Sequence, residues 1–466
     1  MSEYDPYSPQ LRTALVLTGI GTAGAYHAGV LRALAEAGVK IDVVAGRGVG
    51  VVGALFAAID GGQRLWEAKG FWRSPAVTGF YGWRTPVRAA GYALVLSIAL
   101  VAAPLLAIAL GLVVFPIDFV LKMLGAGGGG LVALYLGAAS RAFAPDMLPT
   151  WLPRLVVIVL TAAAAIVIVD GWHRTRGRQH GRWWWRLAGA PLSAEPAVVH
   201  TWRVMWDLIR GAAHVKQPGR GDLGRRYLEM LNDSQGQPGF RELVIVDHDV
   251  DARRDLVFAF VGEARRRDLY RRSTEEQAAA RRAEVFDLAG IGGEYLAGAV
   301  AAALTVPAAT DSERITFAPD AYWRGETHRL IDRPSAVLRL LTELADLGVE
   351  QAIVVSAAPV AAEAHALAGA RVEPRARLGE LLQAAETAAV TDALRAIAPR
   401  IPRVFSIRPP HNPVGPLDFG GGYDDRSDRR QPLEELLNRG YEDAYHQFVE
   451  PVIGASGEAV GLTPRP

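Results

Sequence analysis

The sequence predicts an α/β domain with a mainly parallel central sheet, interrupted by an inserted transmembrane helical hairpin. Three observations carry this reading. Short apolar strands alternate with helices at both ends of the chain, which implies parallel pairing and right-handed crossovers. Between Arg88 and Asp118 no side chain is charged, and the stretch exceeds the roughly 20 apolar residues that cross a bilayer. Removing residues 86–200 leaves the alternation continuous, so the apolar block is an insertion.

The elements follow in order. The opening MSEYDPYSPQ is acidic and proline-bearing, lacks the basic and apolar regions of a secretion signal, and reads as a short tail. TALVLTG is a strand, GAYHAGVLRALAEAG a helix stopped by Gly38, and IDVVAG a second strand. VGVVGALFAAIDGG is a second helix with Gly61 as its C-cap, and residues 1–85 form the first part of the domain.

The insertion, residues 86–200, holds spans at about 89–117 and 150–170. Pro104 is tolerated because a kinked lipid-embedded helix satisfies its freed carbonyl locally. Arg154 interrupts the second span and reaches the interface by snorkelling, while Asp170 closes it. Between the spans, GAGGGGLVALYLGAAS fits a loop, a re-entrant piece or a third short helix; a two-helix hairpin is the expectation. Arg73, Arg84 and Arg88 precede the hairpin, and Arg174, Arg176, Arg178, Arg182 and Arg186 follow it. The connection offers little beyond Lys122 and Arg141, so a multi-pass membrane protein with its α/β domain in the cytoplasm is expected. Trp172 and the run Trp183, Trp184, Trp185 suit a headgroup belt or packing against the α/β domain.

Residues 201–450 resume the domain. RELVIVDHD and RDLVFAFVG are paired strands, YLAGAVAAALTVP a helix, HRLID a short strand, and LTELADLGVEQAIVVSAAP a helix and a strand. EARRRDLYRRSTEEQAAARRAEVFD reads as a solvated, partly disordered connector, or as a contact with anionic headgroups. Residues 451–466 are a tail.

Composition narrows the chemistry. The 466 residues are 50% hydrophobic, with a net charge of +1. There is thus no basic field for nucleic acid. Zero cysteines exclude disulfides and thiolate metal sites. His248 clusters with Asp247, Asp249 and Asp251, but alternate strand residues point to opposite faces, so the group cannot converge on a metal and marks a hairpin. Gly19-x-Gly21-x-x-Gly24 imitates a dinucleotide fingerprint, with Glu36 and Asp42 poorly placed as the ribose acid. No cofactor is expected.

The stretch ALVLTGIGTAGAYHAGVLRALAEAGVKIDVVAGRGVGVVGALFAA resembles the opening of the patatin-like phospholipase family: a Gly-Gly-Gly-x-Arg/Lys-Gly loop, a helix, a strand, then Gly-x-Ser-x-Gly. Further matches follow in the family's order. RELVIVDHDVDARRDLVFAF resembles the central strand pair, AVAAALTVPAA the small-residue helix, HRLIDRP the Asp-Gly-Gly region, and NRGYEDAYHQF the closing helix. The resemblance covers residues 13–75 and about 240–450 and implies a three-layer α/β/α domain.

It also implies a serine–aspartate dyad, in which serine attacks an ester carbonyl, aspartate takes its proton and glycine-loop amides hold the oxyanion. A hydroxyl needs a base within hydrogen-bond reach, and the oxyanion needs preoriented donors. Position by position, Gly19, Gly21 and Gly24 keep the oxyanion loop, and Gly46, Arg47 and Gly50 keep the elbow. Gly48 stands where the nucleophile belongs. Ile20 and Ala23 replace a glycine and the basic residue; a β-branched Ile20 fits badly if that position needs a positive φ. Asp332 is the candidate base, followed by Arg333, which is expected to pair with it and depress its basicity.

The expectation is therefore a membrane-anchored protein of lipid acyl hydrolase fold without hydrolase activity. Its retained acyl pocket would serve lipid binding, sensing or scaffolding, with membrane lipids as partners. The alternative is an active lipid acyl hydrolase with another nucleophile, for which Thr18 or Thr22 with His27 is the candidate; Thr22 reads more simply as a helix cap.

Overall fold

The computed structural model describes residues 7–125, 130–174, 189–270, 275–360 and 372–453. The chain divides into two compact units, one of Met1–Gly82 with Ser193–Pro466 and the other of Trp83–Leu192.

In the first unit, β1 (Thr13–Gly19) and β2 (Val43–Gly48) are buried along their whole length, as central parallel strands covered on both faces must be. Helices α1 (Ala23–Glu36) and α2 (Gly50–Ala58) follow them. The other strands are β3 (Glu242–Asp249), β4 (Arg254–Phe260), β5 (Val285–Asp287), β6 (Glu313–Thr316), β7 (Thr327–Ile331), β8 (Gln351–Ser356) and β9 (Arg403–Ile407). The main path of the sheet runs β5-β4-β3-β2-β1-β8-β9, and β7 pairs with both β3 and β6. Pairs β1/β2, β1/β8, β2/β3, β8/β9 and β4/β5 are parallel, whereas β3/β4, β3/β7 and β6/β7 are antiparallel. The unit is thus a mixed α/β domain with a mostly parallel central sheet flanked by helices.

The second unit opens with α3 (Thr85–Met123), followed by α4 (Gly130–Ala142) and α5 (Leu148–Arg174). Two of these, 39 and 25 residues over the apolar part, are long and apolar enough to cross a membrane. Their aliphatic side chains face outward: Leu105 and Leu106 are each 66% exposed. The core helix of a soluble protein would turn such residues inward. Ser97, Gly111 and Asp118 are buried on α3. They lie 14 and 7 residues apart, a heptad spacing that puts them on one face of the helix. Asp118 pairs with Lys122 at 2.6 Å. The glycine-rich connection includes α4, whose Tyr135 hydroxyl donates to the Ala107 carbonyl at 2.9 Å. Arg176, Arg178, Arg182, Arg186 and Trp183, Trp184, Trp185 lie outside the described residues.

Within the first unit, α6 (Glu195–Ile209) and α7 (Arg220–Asp233) precede β3. The arginine-rich segment differs from the expected loose connector: it forms α8 (Glu263–Tyr270) and α9 (Glu275–Glu284). Ion pairs explain the order. Arg266 pairs with Asp287, and the buried Arg281 forks onto Glu343 at 2.5 Å through each terminal nitrogen. Arg281 is thereby committed inside the protein. Helices α10 (Leu296–Ala303), α11 (Ala336–Asp346), α12 (Pro374–Ile397) and α13 (Leu433–Ala444) complete the unit. Leu340 and Leu344 of α11 and Val390 and Ile397 of α12 share one core with Val16, Ala45, Val244 and Val354 of the sheet. The end of α2 departs from the expected Gly61 cap, because Asp60 takes the left-handed turn at φ +54° and the Gly61 amide donates to Phe56 O at 2.7 Å.

Candidate functional site

β2 turns into α2 at Gly48, whose φ of +58° lies in the left-handed region. This is the tight strand-to-helix geometry on which hydrolases display a nucleophile. Here the surroundings demand glycine. A Cβ at position 48 would lie 2.2 Å from the Gly19 carbonyl oxygen and 3.1 Å from Asp332 Oδ2. The same carbonyl accepts the Val49 amide at 2.9 Å. The backbone of Gly19 therefore fills the space of the missing side chain. It also consumes the amide that, next to a nucleophile, serves as an oxyanion donor.

The glycine loop is closed in the same way. The Thr22 amide donates to Pro416 O at 2.9 Å, and the Thr22 hydroxyl donates to Gly415 O at 2.9 Å. Thr22 sits at the N-cap position of α1 but its side chain makes no cap bond, contrary to the cap expectation. Gly21 lies against the Pro416 carbonyl, Gly24 under the Trp72 ring, Gly46 against Val51 and Gly50 against Leu17. Ile20 is buried and stays outside the left-handed region, so its β-branched side chain is unstrained.

The residue before the turn is the one that sequence reasoning underrated. Arg47 is completely buried. Its Nε donates to Asp332 Oδ1 at 2.9 Å and its Nη2 to Asp332 Oδ2 at 2.8 Å, a bidentate fork. Its Nη1 donates to Glu386 Oε2 at 2.5 Å, to Thr18 Oγ1 at 2.9 Å and to Pro334 O at 3.3 Å. Burial disfavours the guanidinium cation, but the facing Asp332 and Glu386 carboxylates outweigh burial and raise the Arg47 pKa. Asp332 is thereby committed to an ion pair in which both oxygens are occupied.

The expected Arg333–Asp332 pair is not formed. Arg333 instead donates to Asp255 Oδ2 at 2.7 Å, while His248 Nδ1 meets Asp255 Oδ1 at 2.8 Å. Consecutive residues leave the chain on different sides, which separates Arg333 from Asp332. The threonine–histidine arrangement is also absent. The Thr18 hydroxyl donates to Glu386 Oε1 at 2.7 Å, and the ring of His27 meets the Thr18 carbonyl, not a hydroxyl, at 3.1 Å. Burial, with a smaller push from Arg47, lowers the His27 pKa to about 4, so the ring is neutral at pH 7.

Asp247 on β3 has zero exposure, and neither of its carboxyl oxygens has a hydrogen-bond partner among the described residues. Burial, reinforced by Asp332 and Asp255, raises its pKa well above the usual carboxylate range. The unfolded chain releases this proton near pH 4 and the folded chain retains it. Stability is therefore highest below the unfolded pKa and falls as pH rises toward the folded one. Asp247→Asn, which cannot ionise, is expected to stabilise the protein by about 1–3 kcal/mol at pH 7 and by little at pH 4. Thermal unfolding of both chains at the two pH values checks this; equal stability at pH 7 contradicts it.

The space at the elbow is small. A cavity of about 20 Å³ lies between Ile20, Ala23, Leu382, Glu386 and Val414. That is room for one water molecule and not for an acyl chain. A larger cleft of about 540 Å³ sits at the opposite ends of the strands, among Arg12, Lys40, Asp42 and Glu242.

No family model and no curated protein matches the chain. Among solved structures, VipD from Legionella pneumophila is similar at a TM-score of 0.31 and 13% identity, with 96% of this chain and 67% of that chain covered.

Proposed function

We propose that the chain is a membrane-anchored protein whose α/β domain keeps the patatin-like elbow in a catalytically silent form and acts as a lipid-responsive scaffold. The observation that carries this reading is the Gly19 carbonyl in the place of the nucleophile's side chain, 2.2 Å from where a Cβ at position 48 would stand. Arg47 supports it by occupying the candidate base, Asp332. A nucleophile, a free base and free oxyanion donors are each required for ester attack, and removing the nucleophile alone costs about a millionfold in turnover. Two outward-facing apolar helices support the anchoring, and the arginines flanking them support a cytoplasmic α/β domain.

The test is direct. Purified full-length protein in detergent or vesicles, offered short-chain esters and phospholipids, should release no fatty acid above a protein-free blank. Turnover that Asp332→Asn abolishes would establish an active acyl hydrolase instead. Anchoring is tested by carbonate washing of membranes, after which the chain should stay in the pellet.

A further inference from the structure

Between Arg408 and Gly421 the chain has neither helix nor strand, yet Val414, Leu417 and Phe419 are buried. Connections of this length without regular structure are uncommon in compact domains unless they have a function. This one lies across the glycine loop. It accepts both the amide and the hydroxyl of Thr22 through Pro416 and Gly415, and Asn412 Nδ2 donates to the Ala357 carbonyl at 3.0 Å. Its Val414 and Pro416 wall the 20 Å³ cavity opposite Ile20, Ala23 and Leu382.

The two ends of the segment are anchored differently. At the start, the Arg408 guanidinium donates to Ala358 O at 3.1 Å and to Pro359 O at 2.8 Å, and Gln447 Nε2 donates to Arg408 O at 2.8 Å. At the other end stand Gly420, Gly421 and Gly422, with Gly421 at φ +87°. Four prolines between them, Pro409, Pro410, Pro413 and Pro416, restrict internal bending. Displacement of such a segment would turn it about its glycine end as a stiff piece rather than melt it residue by residue. It is held down by the burial of Val414, Leu417 and Phe419, by hydrogen bonds and by two aromatic contacts: Phe419 stacks on Tyr81 at 5.7 Å and meets Phe80 edge-on at 5.6 Å. Phe80 and Tyr81 immediately precede the apolar unit, which begins at Trp83.

We propose that residues 409–420 are a hinged strap that closes an apolar groove between the glycine loop and α12, and that a fatty acyl chain is the ligand that displaces it. Acyl chemistry follows from the surfaces that the strap keeps apart from solvent. Ile20, Ala23, Ala357, Ala358 and Leu382 lie beneath it, together with the polar Thr22, Gln383 and Glu386. This rests on the lipid-responsive reading above, but its test reads strap opening and not catalysis.

The chain has no cysteine, so a single introduced thiol reports alone. Leu417→Cys in the strap and Ile20→Cys beneath it, 1% and 5% exposed in the native residues, should react slowly with a maleimide, and Tyr423→Cys, 55% exposed, gives the open reference rate. Sodium oleate below its critical micelle concentration is expected to speed Leu417→Cys and Ile20→Cys about tenfold, leaving Tyr423→Cys unchanged, as expected when a ligand shifts a closed population to open. Phe419→Ala should speed both buried thiols without oleate. The strap is overturned if both buried thiols react at the Tyr423→Cys rate from the start, or if Phe419→Ala changes neither. Its acyl ligand is overturned if Phe419→Ala opens the strap while oleate does not. Hydrolytic activity, if found, would sink the silent-elbow reading and leave these rates intact.

Discussion

Gly48→Ser is expected to leave the protein without esterase activity and to destabilise it. The substitution would create a Gly-x-Ser-x-Gly pattern at residues 46–50, so the naive expectation is a gain of function. Geometry argues otherwise. The new Cβ meets the Gly19 carbonyl at 2.2 Å and must adopt a φ of +58°. Positive φ costs a non-glycine residue roughly 1–2 kcal/mol, and overpacking adds roughly 1–3 kcal/mol. Relief would need β1 to move away from β2, against the parallel register that pairs Gly19 with Gly48. Even a displaced serine would face Asp332 already forked by Arg47. Denaturant unfolding and an ester assay on the same preparation check both halves. A stable, active Gly48→Ser protein would show that the elbow is open and the base free.

Arg47→Ala is expected to be among the most damaging single changes to the domain. It leaves Asp332 and Glu386 buried without their cation, and breaking a buried pair in this way typically costs about 3–5 kcal/mol. The pH dependence follows from the sign of the shift. Burial already raises the Asp332 pKa with Arg47 in place, and losing the cation that counters this raises it further, so the variant should lose more stability at pH 8 than at pH 5. A compensated chain, R47M with D332N and E386Q, should recover most of the loss, because neutral partners of similar volume no longer require a countercharge. If Arg47→Ala unfolds like the parent, or the compensated chain is no better, the buried ion network is not what holds this end of the central strands.

Much of this architecture was legible in the chain. The β1–α1–β2–α2 start is written in apolar runs separated by glycines, and the apolar helices in a stretch where charge is excluded. The elbow too could be located, because its glycines mark where backbone crowds backbone. What the sequence concealed was who pairs with whom. Arg47 and Asp332 are 285 residues apart, and only the β2-to-β3-to-β7 order of the sheet brings them together. Arg333 looked like the partner of Asp332 because it is adjacent, although adjacency in an extended chain separates side chains.

A signal for the true pair did exist. VVAGRG carries one cation inside a strand that reads as buried on both faces, and a buried cation must find an anion. The strap had no comparable signature: its prolines and glycines read as turns, and its contacts with Thr22 cross almost 400 positions of chain, 393 for the Thr22–Gly415 bond. The arginine-rich helices were missed for a related reason, since their order comes from Glu343 and Asp287 rather than from local propensity.

Gly48 offers the elbow no side-chain oxygen, and both oxygens of Asp332 are held by Arg47. The measurement that bears on this most directly is labelling of the full-length protein with a fluorophosphonate, read by intact mass. An unmodified mass is expected after prolonged exposure, for the parent and for Asp332→Asn alike. Stoichiometric addition to the parent, lost in Asp332→Asn, would mean that a hydroxyl near Asp332 is activated and that the Arg47 fork does not disarm it.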